Sequence, residues 1–237
     1  MIRLDAYLFE NDFTQSRNKA KELILNGDVL VDGKIIQKPS FLIASQKVQI
    51  VSFHQYVSRA GEKLKNFLIE HPIMIEGKRS LDVGASTGGF VEVLLEYGAS
   101  KVVAVDVGHD QLHERLRGNL RVESVEGCDI RDFKSAPFEI VTCDVSFVGS
   151  EYILPAIDRL SCGDIIMLFK PQFEVGRGVK RSKKGVVKDE DAIMRAQKKF
   201  EENFKVYAWQ LCAKKSSRIK GKEGNVEIFY HFHKRED

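Results

Sequence analysis

Two lysines and two carboxylates, each at the end of an apolar run or just before one, carry the chemistry this sequence offers. The run Phe138-Glu139-Ile140-Val141-Thr142-Cys143 ends on Asp144, and Ile165-Ile166-Met167-Leu168-Phe169 ends on Lys170. Short apolar runs of this kind read as buried strands. In a parallel sheet the polar residues at the strands' carboxyl ends face the ligand crevice. Glu227 opens the last apolar run, and an antiparallel strand there starts at the same sheet edge. Lys63 lies in a helical segment, Arg59 to Ile69, that precedes the first strand and can fold over the crevice. Such a set suits removal of a proton from a weakly acidic hydroxyl. A lysine acts as base only if it titrates far below its ordinary value of about 10.4. A second lysine nearby has that effect by like-charge repulsion, and partial burial adds to it. Lowering the value by about 2–3 pH units corresponds to roughly 3–4 kcal/mol of differential interaction. In this scheme Lys170 is the base and Lys63 steers the hydroxyl oxygen. Asp144 balances charge at the reacting centre, and Glu227 holds a lysine.

The ligand beside them is announced by Leu81-Asp82-Val83-Gly84-Ala85-Ser86-Thr87-Gly88-Gly89-Phe90, followed twenty-two residues after Gly84 by Asp106. A strand, a glycine-rich turn, a helix and a strand ending in a carboxylate form a nucleotide-type βαβ unit, with the acid suited to a ribose diol. Gly84, Gly88 and Gly89 do not read G-x-G-x-x-G, so the motif alone admits either NAD or S-adenosylmethionine.

These residues need a scaffold, and the periodicity supplies one. From about residue 58, apolar strands at 80–84, 101–107, 121–125, 138–144, 164–170, 204–211 and 226–232 alternate with helical stretches such as 89–97 and 190–202. That alternation predicts an α/β, Rossmann-like fold with a doubly wound, mostly parallel seven-stranded sheet. Residues 1–50 read as a small α+β unit. Leu4, Tyr7 and Leu8 give a helical stripe, and Thr14 or Ser16 can cap a second helix carrying Ala20, Leu23 and Ile24 that stops at Asn26-Gly27. Val29, Val31 and Ile35 then alternate around the hairpin signal Asp32-Gly33. A short linker, 51–57, separates this head from a domain over 58–237.

At 237 residues and 43% hydrophobic content the chain can build these two cores. No apolar run reaches the roughly 20 residues of a bilayer span, and no leader-like segment opens the chain. Both suggest a cytoplasmic protein. Net charge is only +3, yet Arg177, Lys180, Arg181, Lys183, Lys184 and Lys188 cluster, as do Lys214, Lys215, Arg218, Lys220 and Lys222. Clusters of this kind beside a site point to a polyanionic partner. Arg3, Arg17, Lys19 and Lys21 give the head a basic helical face suited to RNA phosphates. Arg59, Arg177, Lys180 and Arg181 extend the expected RNA contact to the larger domain. The four cysteines form no C-x-x-C pair, which argues against a zinc knuckle or a disulfide framework. His109 and His113 lack a supporting third ligand, so no metal is expected. His231 and His233 share a strand face that a solvated edge explains, and Trp209 reads as packing.

The head resembles the S4 RNA-binding domain through Arg3-Leu4-Asp5, Ser16-Arg17, Gly27-Asp28-Val29-Leu30-Val31-Asp32-Gly33 and Lys38-Pro39. The larger domain resembles the FtsJ/RrmJ-like 2′-O-ribose methyltransferases, whose Lys-Asp-Lys-Glu tetrad matches Lys63, Asp144, Lys170 and Glu227. Its surroundings resemble the TlyA, or hemolysin A, family. They are Tyr56-Val57-Ser58-Arg59-Ala60-Gly61-Glu62-Lys63-Leu64, the glycine loop, Asp144-Val145-Ser146-Phe147, Lys170-Pro171-Gln172-Phe173-Glu174 and Gly224-Asn225-Val226-Glu227. Arg218 departs from the family, which often has proline after a serine there. The resemblance implies S-adenosylmethionine as methyl donor and 2′-O-methylation of cytidine in ribosomal RNA, large-subunit 23S RNA for this shorter form, with an effect on capreomycin sensitivity. It also implies that Asp82 and Gly84, Ala85, Ser86, Thr87, Gly88, Gly89 and Phe90 cradle the methionine part. Asp106 would take the ribose, Asp129 and Ile130 the adenine, and Asp144 the region near the sulfonium.

Three rivals remain. An NAD-dependent oxidoreductase leaves the lysines and the head unexplained. A non-catalytic assembly factor leaves the tetrad unexplained, and donor binding alone would favour it. A cytolysin has neither a spanning helix nor amphipathic strand repeats to support it.

Overall fold

The computed structural model describes residues 1–14, 16–50, 56–146, 149–176 and 178–235, with the backbone alone for residues 19, 22 and 26. The chain divides into two compact units, Met1–Gln55 and Tyr56–Asp237.

The first unit runs β1 (Ile2–Arg3), α1 (Leu4–Glu10), α2 (Arg17–Asn26), β2 (Val29–Val31), β3 (Lys34–Ile35), β4 (Leu42–Ile43) and β5 (Val48–Ile50). Leu4 and Leu8 of α1 meet Ala20 and Ile24 of α2 over Val29, Val31 and Ile43, all essentially fully buried. Each large side chain so buried stabilises the fold by about 1.5–3 kcal/mol. Asp32 and Gly33, with φ of 48° and 76°, make the two-residue left-handed turn between β2 and β3. Asp5 is fully buried, and the guanidinium groups of Arg3 and Arg17 converge on its carboxylate at 3.0 and 3.3 Å. The bonds from Arg3, and then those from Arg17, outweigh burial and hold Asp5 down to about 2.

The second unit continues with α3 (Arg59–Glu70), β6 (Arg79–Val83), α4 (Gly89–Glu96), β7 (Lys101–Asp106), α5 (Glu114–Arg117), β8 (Val122–Glu126), β9 (Phe138–Cys143), α6 (Leu154–Leu160), β10 (Ser161–Phe169), α7 (Pro171–Glu174), α8 (Glu190–Asn203), β11 (Trp209–Ser216) and β12 (Ile228–Lys234). Seven strands form one sheet in the order β11-β12-β10-β9-β6-β7-β8. All neighbours are parallel except β12, which runs antiparallel to both β10 and β11. The chain winds outward from β6 to β8 and returns to β9 on the other side of β6. The strand order therefore reverses between β6 and β9, and the crevice that such a reversal opens lies at their carboxyl ends. The pleat sends alternate residues to opposite faces. Val103, Val105 and Val141 pack with Leu154, Ile157 and Phe200 on one face. Val102, Ala104 and Ile140 pack with Leu64, Phe67, Val91 and Leu94 on the other.

One expected strand is displaced. Residues 204–206 form a 3-10 turn that ends α8, and β11 runs Trp209–Ser216 instead of 204–211. Phe204 is apolar because it packs on Phe200 and Phe232 beneath the sheet. The real strand is an outermost one, with Gln210, Leu211, Cys212 and Lys214 exposed, so it lacks the apolar signature of a buried strand. β12 is in turn an interior strand, which corrects the solvated-edge reading of His231. That residue is 6% exposed, and its ring bonds His71 at 2.8 Å and Asp164 at 2.9 Å.

Candidate active site

The sheet's handedness and order bring the four singled-out residues to one edge. Asp144 follows β9 and Lys170 follows β10, both at strand carboxyl ends. Phe169 pairs with Ile228, so Glu227, immediately before β12, lies beside the end of β10. Lys63 projects from the second turn of α3, and its Nζ donates to Glu227 Oε2 at 2.7 Å, both side chains being over 90% buried. Lys170 Nζ makes a 2.6 Å ion contact with Asp144 Oδ1 and donates to Ser146 Oγ at 3.0 Å and Asp144 O at 3.4 Å. Gln172 Nε2 donates to the other oxygen of Glu227 at 3.3 Å. The two ion pairs share one electrostatic environment. Burial pushes the Asp144 carboxyl above its usual range, Lys170 and then Lys63 oppose that, and Glu227 adds to it.

Alongside the pairs, a cavity of about 360 Å³ opens at the switch point. That is within the range of pockets that hold small ligands and cofactors. Among the residues expected to hold a donor, Gly84, Ser86, Asp106, Asp129, Ile130 and Asp144 line it. Gly84 has φ of 77°, and a Cβ there would meet Asp144 O at 3.2 Å, so glycine lets the two strand ends close up. Asp106 accepts from Ser86 N at 2.8 Å and Gly108 N at 2.7 Å, which folds the loop around its carboxylate.

Other expected donor contacts do other work. Asp82 is buried on the sheet face it shares with its register partner Thr142, whose hydroxyl donates to it at 2.7 Å. Burial raises Asp82 to about 7 despite that bond, and the nearby charges of Asp144 and Asp106 add to the effect. Ala85, Thr87, Gly88, Gly89 and Phe90 are not among the cavity's lining residues. A Cβ on Gly88 would strike Leu116 at 2.3 Å, and one on Gly89 would strike Ser58 Oγ at 2.2 Å and Gly61 N at 2.7 Å. Gly89 is therefore required where α4 meets the backbone of α3, Gly88 is required by its left-handed φ of 95° at the start of α4, and Phe90 is core, stacked near Phe229. The Asp129 carboxylate is gripped by Arg131 at 2.9 and 2.6 Å, so an incoming amine would have to share it.

The basic residues divide in the same way. Lys180 is exposed, while Arg59 donates to Lys220 O at 2.8 Å. Arg181 is bound to the backbone carbonyls of Val179, Gln172 and Gly176. In the head, Arg3 and Arg17 stay about half exposed beside Asp5, and Lys21 is partly buried on α2. Lys19 falls on α2 with its side chain outside the described residues, as does the whole of Arg177. Sequence reasoning gave Ser146 and Gln172 no role. Their signal was position, each two residues beyond a strand-end catalytic candidate. No group of three or more His, Cys, Asp and Glu among the described residues could hold a metal ion. No helix among them is long and apolar enough to cross a membrane.

The model of the FtsJ-like methyltransferase family matches residues 56–234, and that of the S4 domain matches residues 2–48. The 23S rRNA (cytidine-2′-O)-methyltransferase TlyA of Campylobacter jejuni is 47% identical, over 92% of this chain and 94% of that protein. Hemolysin A of Brachyspira hyodysenteriae is 38% identical over 98% and 99%. A solved Streptococcus thermophilus relative superposes with a TM-score of 0.76 at 31% identity, over all of this chain and 89% of that one. The chain is thus an FtsJ-like methyltransferase with an S4 domain, and it belongs to the family of TlyA and Hemolysin A.

Proposed function

We propose that this methyltransferase uses S-adenosylmethionine to methylate the ribose 2′-hydroxyl of a cytidine in ribosomal RNA, with large-subunit 23S RNA as substrate. The observation that carries the reading is two lysine–carboxylate pairs, one buried and one largely so, at one sheet edge, with Asp144 of the second pair lining the glycine-loop cavity. The cavity suits the donor. Its walls are largely apolar, with Val83, Val105 and Ile130 available for the adenine and ribose, and with Asp106 and Asp144 for polar and cationic parts. Bound there, S-adenosylmethionine would supply an electrophilic methyl group.

The chain's residues would do the rest. Lys170 takes the 2′-hydroxyl proton onto Nζ, which Ser146 and the Asp144 carbonyl keep aimed. Lys63, held by Glu227, steers the 2′-oxygen and balances its developing charge. Asp144 offsets positive charge at the reacting centre. In the same reading, residues 1–50 are an RNA-binding head, 51–57 a linker and 58–237 the catalytic domain. Arg3, Arg17, Lys19, Lys21, Arg59, Arg177 and Lys180 contact RNA phosphates, the enzyme works in the cytoplasm, and the modification affects capreomycin sensitivity.

The test is methyl transfer from labelled S-adenosylmethionine to ribosomal subunits of a strain lacking the enzyme. Label should enter large-subunit RNA as a 2′-O-methyl nucleotide, and Lys170→Ala should lower the rate by about 10²–10⁴-fold. Binding of donor and RNA with no transfer by the wild-type chain would replace this reading with that of a non-catalytic assembly factor.

A further inference from the structure

Arg181 sits in the basic cluster that the sequence assigns to RNA, yet its guanidinium faces inward. One nitrogen, Nη2, donates to Gln172 O at 3.2 Å and Gly176 O at 2.7 Å, and Nη1 donates to Val179 O at 2.9 Å. Three carbonyls of the segment that follows Lys170 are thereby gathered onto one cation. Gln172, the second residue of α7, sends its side-chain Nε2 to Glu227 Oε1 at 3.3 Å. Glu227 in turn grips Lys63 through its other oxygen at 2.7 Å. The orientation of the Gln172 amide is set by that contact, since the opposite one would point a carbonyl oxygen at a carboxylate. Among the described residues its own Oε1 is buried without a hydrogen-bond partner. The amide is therefore held by the Glu227 contact at its side chain and by Arg181 at its backbone carbonyl. The same segment is tied to Glu227 from a second side. Arg181 bridges Val187 across a short hairpin, and Val187 N donates to Asn225 Oδ1 at 3.0 Å, two residues before Glu227.

We propose that Arg181 is a positioning residue for the Lys63–Glu227 pair, acting through Gln172, and not a ligand of the RNA. The inference rests on the catalytic reading of those two residues. A planar fork is what the geometry demands, because a single guanidinium reaches three carbonyls fixed in different directions. Lysine keeps the charge but not the fork. An RNA phosphate, by contrast, is satisfied by either cation, since that part of binding is largely sequence-independent electrostatics. The two roles therefore separate cleanly.

The experiment compares Arg181→Lys, Arg181→Ala, Gln172→Ala and the Arg181→Ala/Gln172→Ala double variant, after circular dichroism and thermal melting establish that each is folded. The expected result is a fall in kcat of about tenfold for both Arg181 variants, with RNA affinity and its salt dependence unchanged. The double variant should be no slower than the slower single one, because two links of one relay are not additive. Rescue by Arg181→Lys overturns the proposal. So does a raised KM with a salt slope lower by about one in Arg181→Ala, the mark of a lost phosphate contact. A readout independent of catalysis is the Gln172 side-chain amide resonance, which should move in Arg181→Lys and stay put in Lys183→Ala. An unmoved resonance overturns the relay even if the wild-type chain transfers no methyl group, and absence of transfer by the wild type would count against the proposed function alone.

Discussion

The Lys63–Glu227 pair is an expensive feature for a fold to carry. Two charges removed from water lose several kcal/mol each, and replacing such a pair by apolar residues of similar volume is often neutral or stabilising. Both side chains lie more than 90% inside, so the pair is better explained by chemistry than by stability. Magnitudes separate the two. Glu227→Ala strands the Lys63 cation and should cost about 3–5 kcal/mol, a large share of the roughly 5–15 kcal/mol that holds a domain folded. The Lys63→Met/Glu227→Leu double variant should recover most of that loss while remaining inactive in methyl transfer. Urea unfolding of the three proteins checks the first half, and labelled-donor transfer checks the second. A double variant as unstable as Glu227→Ala would mean that the pair holds the fold after all.

Helix α3 and strand β12 connect this pair to a second one. Lys63 and Glu227 join them near the edge where β9 and β10 end, and His71, which caps α3, joins His231 of β12 at 2.8 Å farther along. His231 continues to Asp164, which also receives His233 at 3.0 Å and Lys78 at 3.1 Å. Burial lowers His71 below its usual value, and the neighbouring His231 and Lys215 add to that, against Asp164. The sign follows directly. A histidine that binds protons less well folded than unfolded leaves stability intact above its unfolded value of about 6.5 and removes it as pH falls below. The urea midpoint of the wild-type chain should drop between pH 7.5 and 5.5, and His71→Phe, whose ring can keep the contact with Phe67, should flatten that drop. An equal drop in both proteins would exclude His71 as the cause. None of this was legible in the sequence, where His231 looked like an edge residue. Interior strands such as β7 and β10 were legible because burial on both faces makes them continuously apolar. β11, with one partner strand and mostly exposed side chains such as Gln210, Cys212 and Lys214, lacks that signature. The glycine loop was legible as a feature and only partly as to purpose. Gly84 serves the cavity, whereas Gly88 serves the left-handed turn into α4 and Gly89 the packing of α4 on α3, distinctions that need the backbone angles and the positions of Ser58 and Gly61. Strand-end placement made Asp144, Lys170 and Glu227 visible, and Lys63 stood out by its place on the helix before the first strand, but nothing in one-dimensional spacing says that a loop arginine will turn inward.

For the molecule as a whole, a net charge of +3 understates the field an RNA would meet. Asp5 takes up part of the head's basic charge by holding Arg3 and Arg17, Glu201 pairs with Lys214, and Glu70 pairs with Arg218. Lys180, Lys183, Lys184, Lys220 and Lys222 remain exposed around the Arg181–Val187 hairpin and the loop before Glu227. Charge that is already paired releases fewer counterions when phosphate arrives, so these exposed lysines should dominate the salt dependence. Replacing Lys183 and Lys184 together by glutamine should weaken RNA binding at low salt. It should also reduce the slope of log K against log salt by about 1.4, taking roughly 0.7 for each single-strand phosphate contact. Donor affinity should be untouched, because neither residue lines the cavity. Titrations of ribosomal RNA at several salt concentrations measure both quantities on the intact chain. A slope unchanged by the double replacement would shift the RNA-facing surface away from this hairpin and leave the head to supply the electrostatic attraction.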